Sequence, residues 1–525
     1  MRTPLTIWML ALALVACDEP RTAPTSAAGD LSGDGEDGDA YDPLALDGKA
    51  DGFEPPTGPL VFAAACEPGD TLTIAAVGDV LLHGPLQQQA YASPDGFGSL
   101  WAGVADLLAA ADVTYANLEG PTAAGVTSAG REARDPGPTF DGVVYSSYPQ
   151  FNYHPRLVAD LQAAGVDVVS TANNHSLDRR ALGADRTLEA LEAGGLPYTG
   201  TRRSDGTGVW HTYTEARGFR LAWLACTYGT NGIPDPRDQV LLCFEDRAEV
   251  LALVAELAAE PGVDAVIVTP HWGQEYQANP AQAQVDLAHD LLEAGATAVI
   301  GSHPHVLQPW ERYVTASGRE GFVIYSLGNF VSGQSHLPRR STLLLYLGLT
   351  RTAAGVRVNG ARYVPLHMTR DGAGRHLDAI DRVGGLADSR ALTVGMFKGY
   401  NLLPPSEVAA GLVTNPQCDP AWQPPAEPHP HDGWIGGACV DADACGGGIC
   451  LADAPGGLCS EPCERFCPDR AGRVSTFCVD LGFANGGVCV AQCGGAADCR
   501  PGYTCVEAER YGDPATRRRA CLPAE

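Results

Sequence analysis

The 525-residue chain is poor in positive charge, with 35 Lys plus Arg against 63 Asp plus Glu and a formal net charge of -28. An excess of this sign repels phosphate backbones, so no nucleic-acid partner is expected. Methionine is scarce at 4 residues and tryptophan at 8. Long apolar runs are missing except at the N-terminus, where the run is shorter than the roughly 20 residues a bilayer span needs. What is abundant is apolar content, at 45%, which excludes a disordered chain and is ample for a core. The length suits two to four domains.

Arg2 precedes an apolar stretch from Leu5 to Ala16, and Leu14-Val15-Ala16 leads into Cys17. A basic start, a short apolar core and a small residue before a cut are export-signal chemistry. The cysteine resembles the lipobox of bacterial lipoproteins, which implies lipidation of Cys17 and a membrane-anchored, exported protein of the bacterial cell envelope. Residues 18–69 are rich in Asp, Gly, Pro, Ala and Ser, with GDLSGDGEDGDAYD at their centre, and read as a flexible acidic tether.

Thirteen of the 17 cysteines lie between Cys418 and Cys521, the composition of a disulfide scaffold in an oxidising compartment. A C-x5-C-x4/5-C core occurs at Cys439-Cys445-Cys450 and again at Cys493-Cys499-Cys505, so residues 438–525 read as two small disulfide modules. Paired C-x2-C zinc knuckles are absent. A Pro-rich stretch, residues 401–437, reads as a connector and contains His429 and His431. Cys226 and Cys243 are near enough to pair, and Cys66 can pair with the odd tail cysteine, Cys418.

Residues 70–400 alternate short β-rich apolar runs with helix-period segments. TLTIAAVGDV, Thr114–Asn117 before NLEG, Val166–Thr171 before ANNH, Ala265–Thr269 before PHWG and Ala298–Ile300 before GSHPH each end in a polar cluster. Pro155 suits a first helical position ahead of Leu157, Val158 and Leu161, and Ala281, Val285, Ala288 and Leu292 form a second apolar stripe. An alternation of this kind predicts an α/β fold in which all five clusters gather along one sheet edge. After Phe322 the segments FVIYSLGNF, STLLLYLGLT and ARYVPLHMTR predict antiparallel additions and a second sheet on the first.

At the strand ends stand Asp79, Glu119, Asn173, Asn174, His175, His271, His303 and His305, a mixture of carboxylate, amide oxygen and imidazole. It suits divalent ions such as Mn, Fe or Zn in an open site, and the lack of thiolate argues against structural zinc. Two ions sharing a carboxylate would clamp the oxygens of a phosphoryl or carbonyl group and lower the pKa of a bound water.

GDVLLHG, NLEGP, TANNHSLD, PHWGQEY, GSHPHVLQPWE and IYSLGNF, in this order from about Leu72 to Gln334, resemble the bacterial capsule-synthesis CapA (poly-γ-glutamate) family, a branch of the calcineurin-like metallophosphoesterases. The resemblance implies a four-layer α/β/β/α sandwich with a dinuclear site. Asp79 and His305 would serve the first metal, Asn174, His271 and His303 the second, and Glu119 would bridge. His175 would protonate the leaving group or hold the transition state. Leu81 stands where the superfamily often has a histidine, which leaves the first site poor in ligands unless His83 reaches in. Glu275 and Tyr276 are candidates for contact with ligands or substrate, and Asn117, Asn173, Ser302 and Asn329 for orienting them; Trp272 and Tyr276 equally suit core packing. The segment from about Pro121 to Gln150 is long for a loop and can cover the site, with Arg131 and Arg134 available to carboxylates or phosphates or to surface salt bridges. Two functions follow: a metal-dependent hydrolase acting on an anionic cell-envelope polymer or phosphoester, or a non-catalytic polymer-binding factor whose cysteine modules attach elsewhere.

Overall fold

The structure, a computed structural model, describes residues 58–423, 434–439, 442, 445, 448–468, 474–482 and 486–524. Cys17, the acidic tether up to residue 57, His429 and His431 lie outside the described residues. In chain order the strands of the main domain are β1 (Asp70–Leu81), β2 (Val113–Asn117), β3 (Val168–Ser170), β4 (Tyr198–Thr199), β5 (His211–Ala216), β6 (Phe219–Thr227), β7 (Ala265–His271), β8 (Ala298–Ile300), β9 (Leu307–Val314), β10 (Glu320–Leu327), β11 (Asn329–Ser332), β12 (Ser341–Thr352), β13 (Gly355–Asp371) and β14 (Gly374–Ala379). One sheet runs β14-β13-β12-β1-β2-β3-β4 with β11 beside β1, and the other β5-β6-β7-β8-β10-β9.

Side chains alternate across each strand, and the alternation assigns the layers. Ile74 and Ala76 of β1, Leu221 and Trp223 of β6, and Leu343, Leu345, Leu347 and Leu349 of β12 fill the space between the two sheets. Their sequence neighbours turn outward. Ala75, Val77, Leu344 and Tyr346 meet Leu157, Val158 and Leu161 of the helix Arg156–Ala163 and Leu188 and Leu191 of the helix Arg180–Gly194. On the far side Ala222, Leu224 and Cys226 meet Val250, Val254 and Leu257 of the helix Arg247–Ala259, with Val285, Ala288 and Leu292 of the helix Gln282–Ala294. Both helical stripes read from the sequence are therefore buried as expected, with Pro155 at the N-cap of its helix. The result is the expected four-layer α/β/β/α sandwich, and each wholly buried leucine adds roughly 1.5–3 kcal/mol to it.

The second sheet is not made by the late segments. STLLLYLGLT and ARYVPLHMTR form β12 and β13, an antiparallel extension of the first sheet, with β12 paired to β1. FVIYSLGNF divides: β10 lies parallel to β8 and antiparallel to β9, and β11 crosses to the first sheet to pair with β1 in parallel. Three polar clusters thus end strands of one sheet and two end strands of the other. A period of two marks a strand as half-buried or buried but is silent on which neighbour it pairs with.

The sandwich also extends past both expected limits. Leu60 and Phe62 enter the inter-sheet core, and Cys66 is bonded to Cys418. Leu403 and Val408 pack in the helix-side core, Arg362 pairs with Glu407 at 2.9 Å, and Thr414 Oγ1 donates to Asn359 Oδ1 at 2.8 Å. Pro404 and Pro405, expected to open a connector, start the helix Pro405–Ala410 instead, while the later prolines from Pro424 to Pro430 lie outside the described residues. Cys226 and Cys243 are bonded to each other.

From Cys439 onward the cysteines form three modules rather than two. Cys439–Cys450 interleaves with Cys445–Cys459, Cys463–Cys478 with Cys467–Cys489, and Cys493–Cys505 with Cys499–Cys521. In each, first bonds third and second bonds fourth. The middle module begins Cys463-x3-Cys467, so the C-x5-C spacing does not reveal it. Disulfide sulfurs are not thiolates, which removes the zinc alternative. Each short loop closure is worth about 3 kcal/mol in the chain-entropy account, the scale a module so poor in aliphatics needs.

Candidate metal centre

Asp79 at the end of β1, Glu119 just past β2 and Asn174 just past β3 come from one sheet; His271 at the end of β7, with His303 and His305 past β8, come from the other. All six are buried. His271 Nε2 lies 2.9 Å from Asn174 Oδ1, 3.2 Å from His303 Nδ1 and 3.6 Å from Glu119 Oε1. His305 Nδ1 lies 3.0 Å from Asp79 Oδ2, and its Nε2 3.9 Å from Glu119 Oε1. The donors thus fall into two groups, and Glu119 belongs to both.

Backbone and neighbours hold these atoms in place. The parallel register aligns Asp79 with Asn117 on β2 and with Asn329 on β11. Asn117 Nδ2 donates to Asp79 Oδ1 at 2.8 Å and lies 3.1 Å from His271 Nδ1. Ser302 Oγ is 3.2 Å from His271 Nδ1, so a proton on Nδ1 can be held there and the Nε2 lone pair left for a ligand. Asn329 Nδ2 donates to the His305 carbonyl at 3.2 Å, and Asn173 accepts the His175 N–H at 3.1 Å while donating to the Leu118 carbonyl at 2.8 Å. His303 and His305 sit at φ 102° and 58°, left-handed geometry that turns both rings of the SHPH loop inward.

Electrostatics mark the same place. Burial, then the neighbouring histidines, push His271 and His303 well below the usual imidazole range, which keeps them neutral. Burial opposes the charged form of His305 as well, but Glu119 and Asp79 outweigh it and raise the group to about 10. Glu119 is pushed well above the usual carboxylate range by burial and by Asp79. Neither Glu119 carboxylate oxygen has a hydrogen-bond partner among the described residues. Two buried carboxylates beside neutral imidazoles form an environment that a cation compensates, so the residues fit a divalent metal.

His175 stands beside this cluster. Its Nδ1 is 2.8 Å from Asp178 Oδ2, which also accepts the Phe151 N–H at 2.6 Å, and the Phe151 ring meets the imidazole edge-on at 4.8 Å. Asn231 Nδ2 is 3.4 Å from His175 Nδ1 and Asn231 Oδ1 accepts from Asn174 at 3.2 Å, while Tyr228 packs on His303 at 4.4 Å. The Cys226–Cys243 bond closes the loop that carries both. Sequence reasoning missed Asp178, Asn231, Tyr228 and Phe151. Only Asp178 had a local signal, three residues after His175 in NNHSLD.

Other candidates differ in their surroundings. His83 Nδ1 accepts the Gly333 N–H at 3.1 Å, lies 3.2 Å from the Leu81 carbonyl, and is pushed down to about 4, chiefly by burial. Leu81 is part of the apolar core. Trp272 is a core residue whose Nε1 donates to the Tyr325 carbonyl at 3.0 Å, whereas the Tyr276 ring lies 6.1 Å from His305. Arg131 and Arg134 are exposed.

Their segment is held against the protein by Arg179, which is wholly buried: its guanidinium donates to the carbonyls of Val126, Val144, Gln150 and Asp178 at 3.1–3.3 Å and to Ser146. Burial pushes its pKa down to about 10 against the pull of Asp178. Arg179→Ala is expected to strip one donor from each of these carbonyls, of which Val144 keeps Asn152 Nδ2 and Gln150 keeps Ser146 Oγ, to lower stability by on the order of 3 kcal/mol, and to open residues 125–145 to limited proteolysis. An unchanged urea midpoint and cleavage pattern would contradict this.

A four-layer sandwich with Asp, Glu, Asn and His donors converging from the strand ends of both sheets resembles calcineurin-like phosphoesterase architecture. Residues 73–334 match the family described as Bacterial capsule synthesis protein PGA_cap, so the chain carries a CapA/PGA_cap-like domain followed by a disulfide-rich region. It is 32% identical over 193 residues to the capsule biosynthesis protein CapA of Bacillus anthracis, a match covering 36% of this chain and 45% of that protein. With the PGA biosynthesis protein CapA of Bacillus subtilis it shares 27% over 296 residues, covering 54% and 70%. The solved calcineurin-like phosphoesterase YfkN from Bacillus subtilis aligns with a TM-score of 0.33 at 14% identity, over 63% of this chain and 97% of that one. The chain therefore spans about half the length of the Bacillus anthracis relative.

Proposed function

We propose that this protein is an exported, lipid-anchored, metal-dependent hydrolase acting in the biosynthesis of a capsule or cell-envelope polymer of the poly-γ-glutamate type. The observation that carries the reading is the convergence of six buried donors from two sheets, one of them the Glu119 carboxylate, which has no hydrogen-bond partner among the described residues. Asp79, Glu119 and His305 would hold one divalent ion, and Glu119, Asn174, His271 and His303 a second. Mn, Fe or Zn bound there supplies Lewis acidity and a water of lowered pKa. Asp178 holds His175 by Nδ1, which leaves Nε2 to donate a proton to the leaving oxygen. Cys17 would carry the lipid that keeps the domain at a membrane leaflet.

A second reading, a polymer-binding factor without turnover, is favoured by Leu81, whose burial in the core leaves three protein donors on the Asp79 side. Elemental analysis of the full exported chain, with hydrolysis assays on a phosphodiester and on poly-γ-glutamate, separates the two. Near two ions per chain with turnover supports the hydrolase; polymer retention without cleavage supports the binder. Labelled palmitate incorporated by the native chain and lost in Cys17→Ser supports the anchor, and equal labelling of both removes it.

A further inference from the structure

The loop that follows β7 delivers a seventh candidate donor to the cluster. Glu275 is half-buried, and one carboxylate oxygen of Glu275, a ring nitrogen of His303 and a ring nitrogen of His305 all lie within 4.8 Å of one another. Such proximity in a surface loop is commonly accidental. Here the loop is pinned on both sides of the glutamate.

Before it, Trp272 is locked in the core through its indole N–H, and Gly273 turns the chain at φ 94°, where a Cβ would come within 2.6 Å of Gln284 Oε1. A side chain at that turn would be strained by the positive φ and would have to displace the end of Gln284. After it, Tyr276 sits at φ 66° and its N–H donates at 2.8 Å to the carbonyl of Pro304, the residue between the two histidines. The Tyr276 ring is covered by the Arg339 guanidinium at 3.5 Å, and its hydroxyl accepts from Gln334 at 3.4 Å. Gln334 in turn accepts from Asn329, which holds the His305 carbonyl. One network of hydrogen bonds therefore sets the positions of His305 and of the residue next to Glu275.

We propose that Glu275 is itself a metal ligand, the fourth protein donor on the His305 side. The assignment rests on the dinuclear reading given above and deepens it. With Asp79, Glu119 and His305 alone, that side offers three protein donors; a further carboxylate oxygen brings it to four and favours a borderline or hard ion such as Zn, Mn or Fe. The other arrangement, in which Glu275 merely pairs with a protonated His305, predicts no change in metal binding when its charge is removed and its shape kept.

The test uses the full chain stripped of metal and titrated with Zn2+ or Co2+ alone, comparing native protein, Glu275→Gln and Glu275→Asp, with thermal unfolding as a check that each variant is folded. Native protein is expected to take up two ions. Glu275→Gln should weaken one of them by at least about tenfold, leave the other unchanged, and alter the visible absorption of the Co2+-loaded protein; Glu275→Asp should lose less. Two ions bound by Glu275→Gln with native affinity and an unaltered spectrum would overturn the assignment and leave the dinuclear reading standing. Failure of the native chain to bind either ion would overturn both.

Discussion

Given the dinuclear hydrolase reading, replacing His271 with alanine is expected to weaken metal binding at least about 100-fold and to reduce hydrolysis to about 1% or less of the native rate. The size follows from position. His271 Nε2 is the atom on which Asn174, His303 and Glu119 converge, and Nδ1 is held from behind by Ser302 and Asn117. Loss of a residue that only supports a metal ligand already costs 10–100-fold in affinity, so loss of the central ligand should cost more than either. Folding should survive, because the ring lies at the strand end, beyond the inter-sheet leucines. Equilibrium dialysis with Zn2+ or Mn2+ reads the first effect and phosphodiester turnover the second. Native affinity in a folded His271→Ala protein would remove the centre from this place in the fold.

The candidate donors were legible because chemistry and position coincide. Each lies within a few residues of the end of an apolar run, and burial turns Asp, Asn and His at such ends into an anomaly that packing alone does not explain. The full four-layer architecture came through the resemblance; the residues by themselves announced alternation and a second sheet, and assigned that sheet to the wrong segments. What periodicity left out was pairing. β11 leaves the sheet of β10 after Gly328, at φ 68°, and brings Asn329 beside Asp79, a switch of sheets that no spacing of apolar residues records. Pro404 and Pro405 misled for a related reason, since the same ring stiffness that suits a connector also suits a helix start. The residues that orient His175 come from three separate loops, and a contact over that sequence distance has no local signature except at Asp178.

The other large effect is expected at His175, and its form matters more than its size. Given the hydrolase reading, the imidazole donates a proton to the departing oxygen, a contribution worth roughly 10²–10⁴-fold. His175→Ala should therefore lose that factor on an alkyl phosphodiester, whose alkoxide leaves poorly, and much less on a p-nitrophenyl ester, whose anion leaves without a proton. Metal content should stay native, since none of the close donor contacts of His271 or His305 involves His175. Asp178→Asn should follow the same pattern more weakly. Asp178 Oδ2 fixes the Nδ1 side of the ring at 2.8 Å while the Phe151 N–H fixes the carboxylate, so an amide there keeps the shape but loses the charge that favours a proton on Nδ1. Equal losses on the two esters would mean that His175 holds the transition state by hydrogen bonding rather than by proton transfer. Loss of metal in His175→Ala would instead place this residue among the ligands.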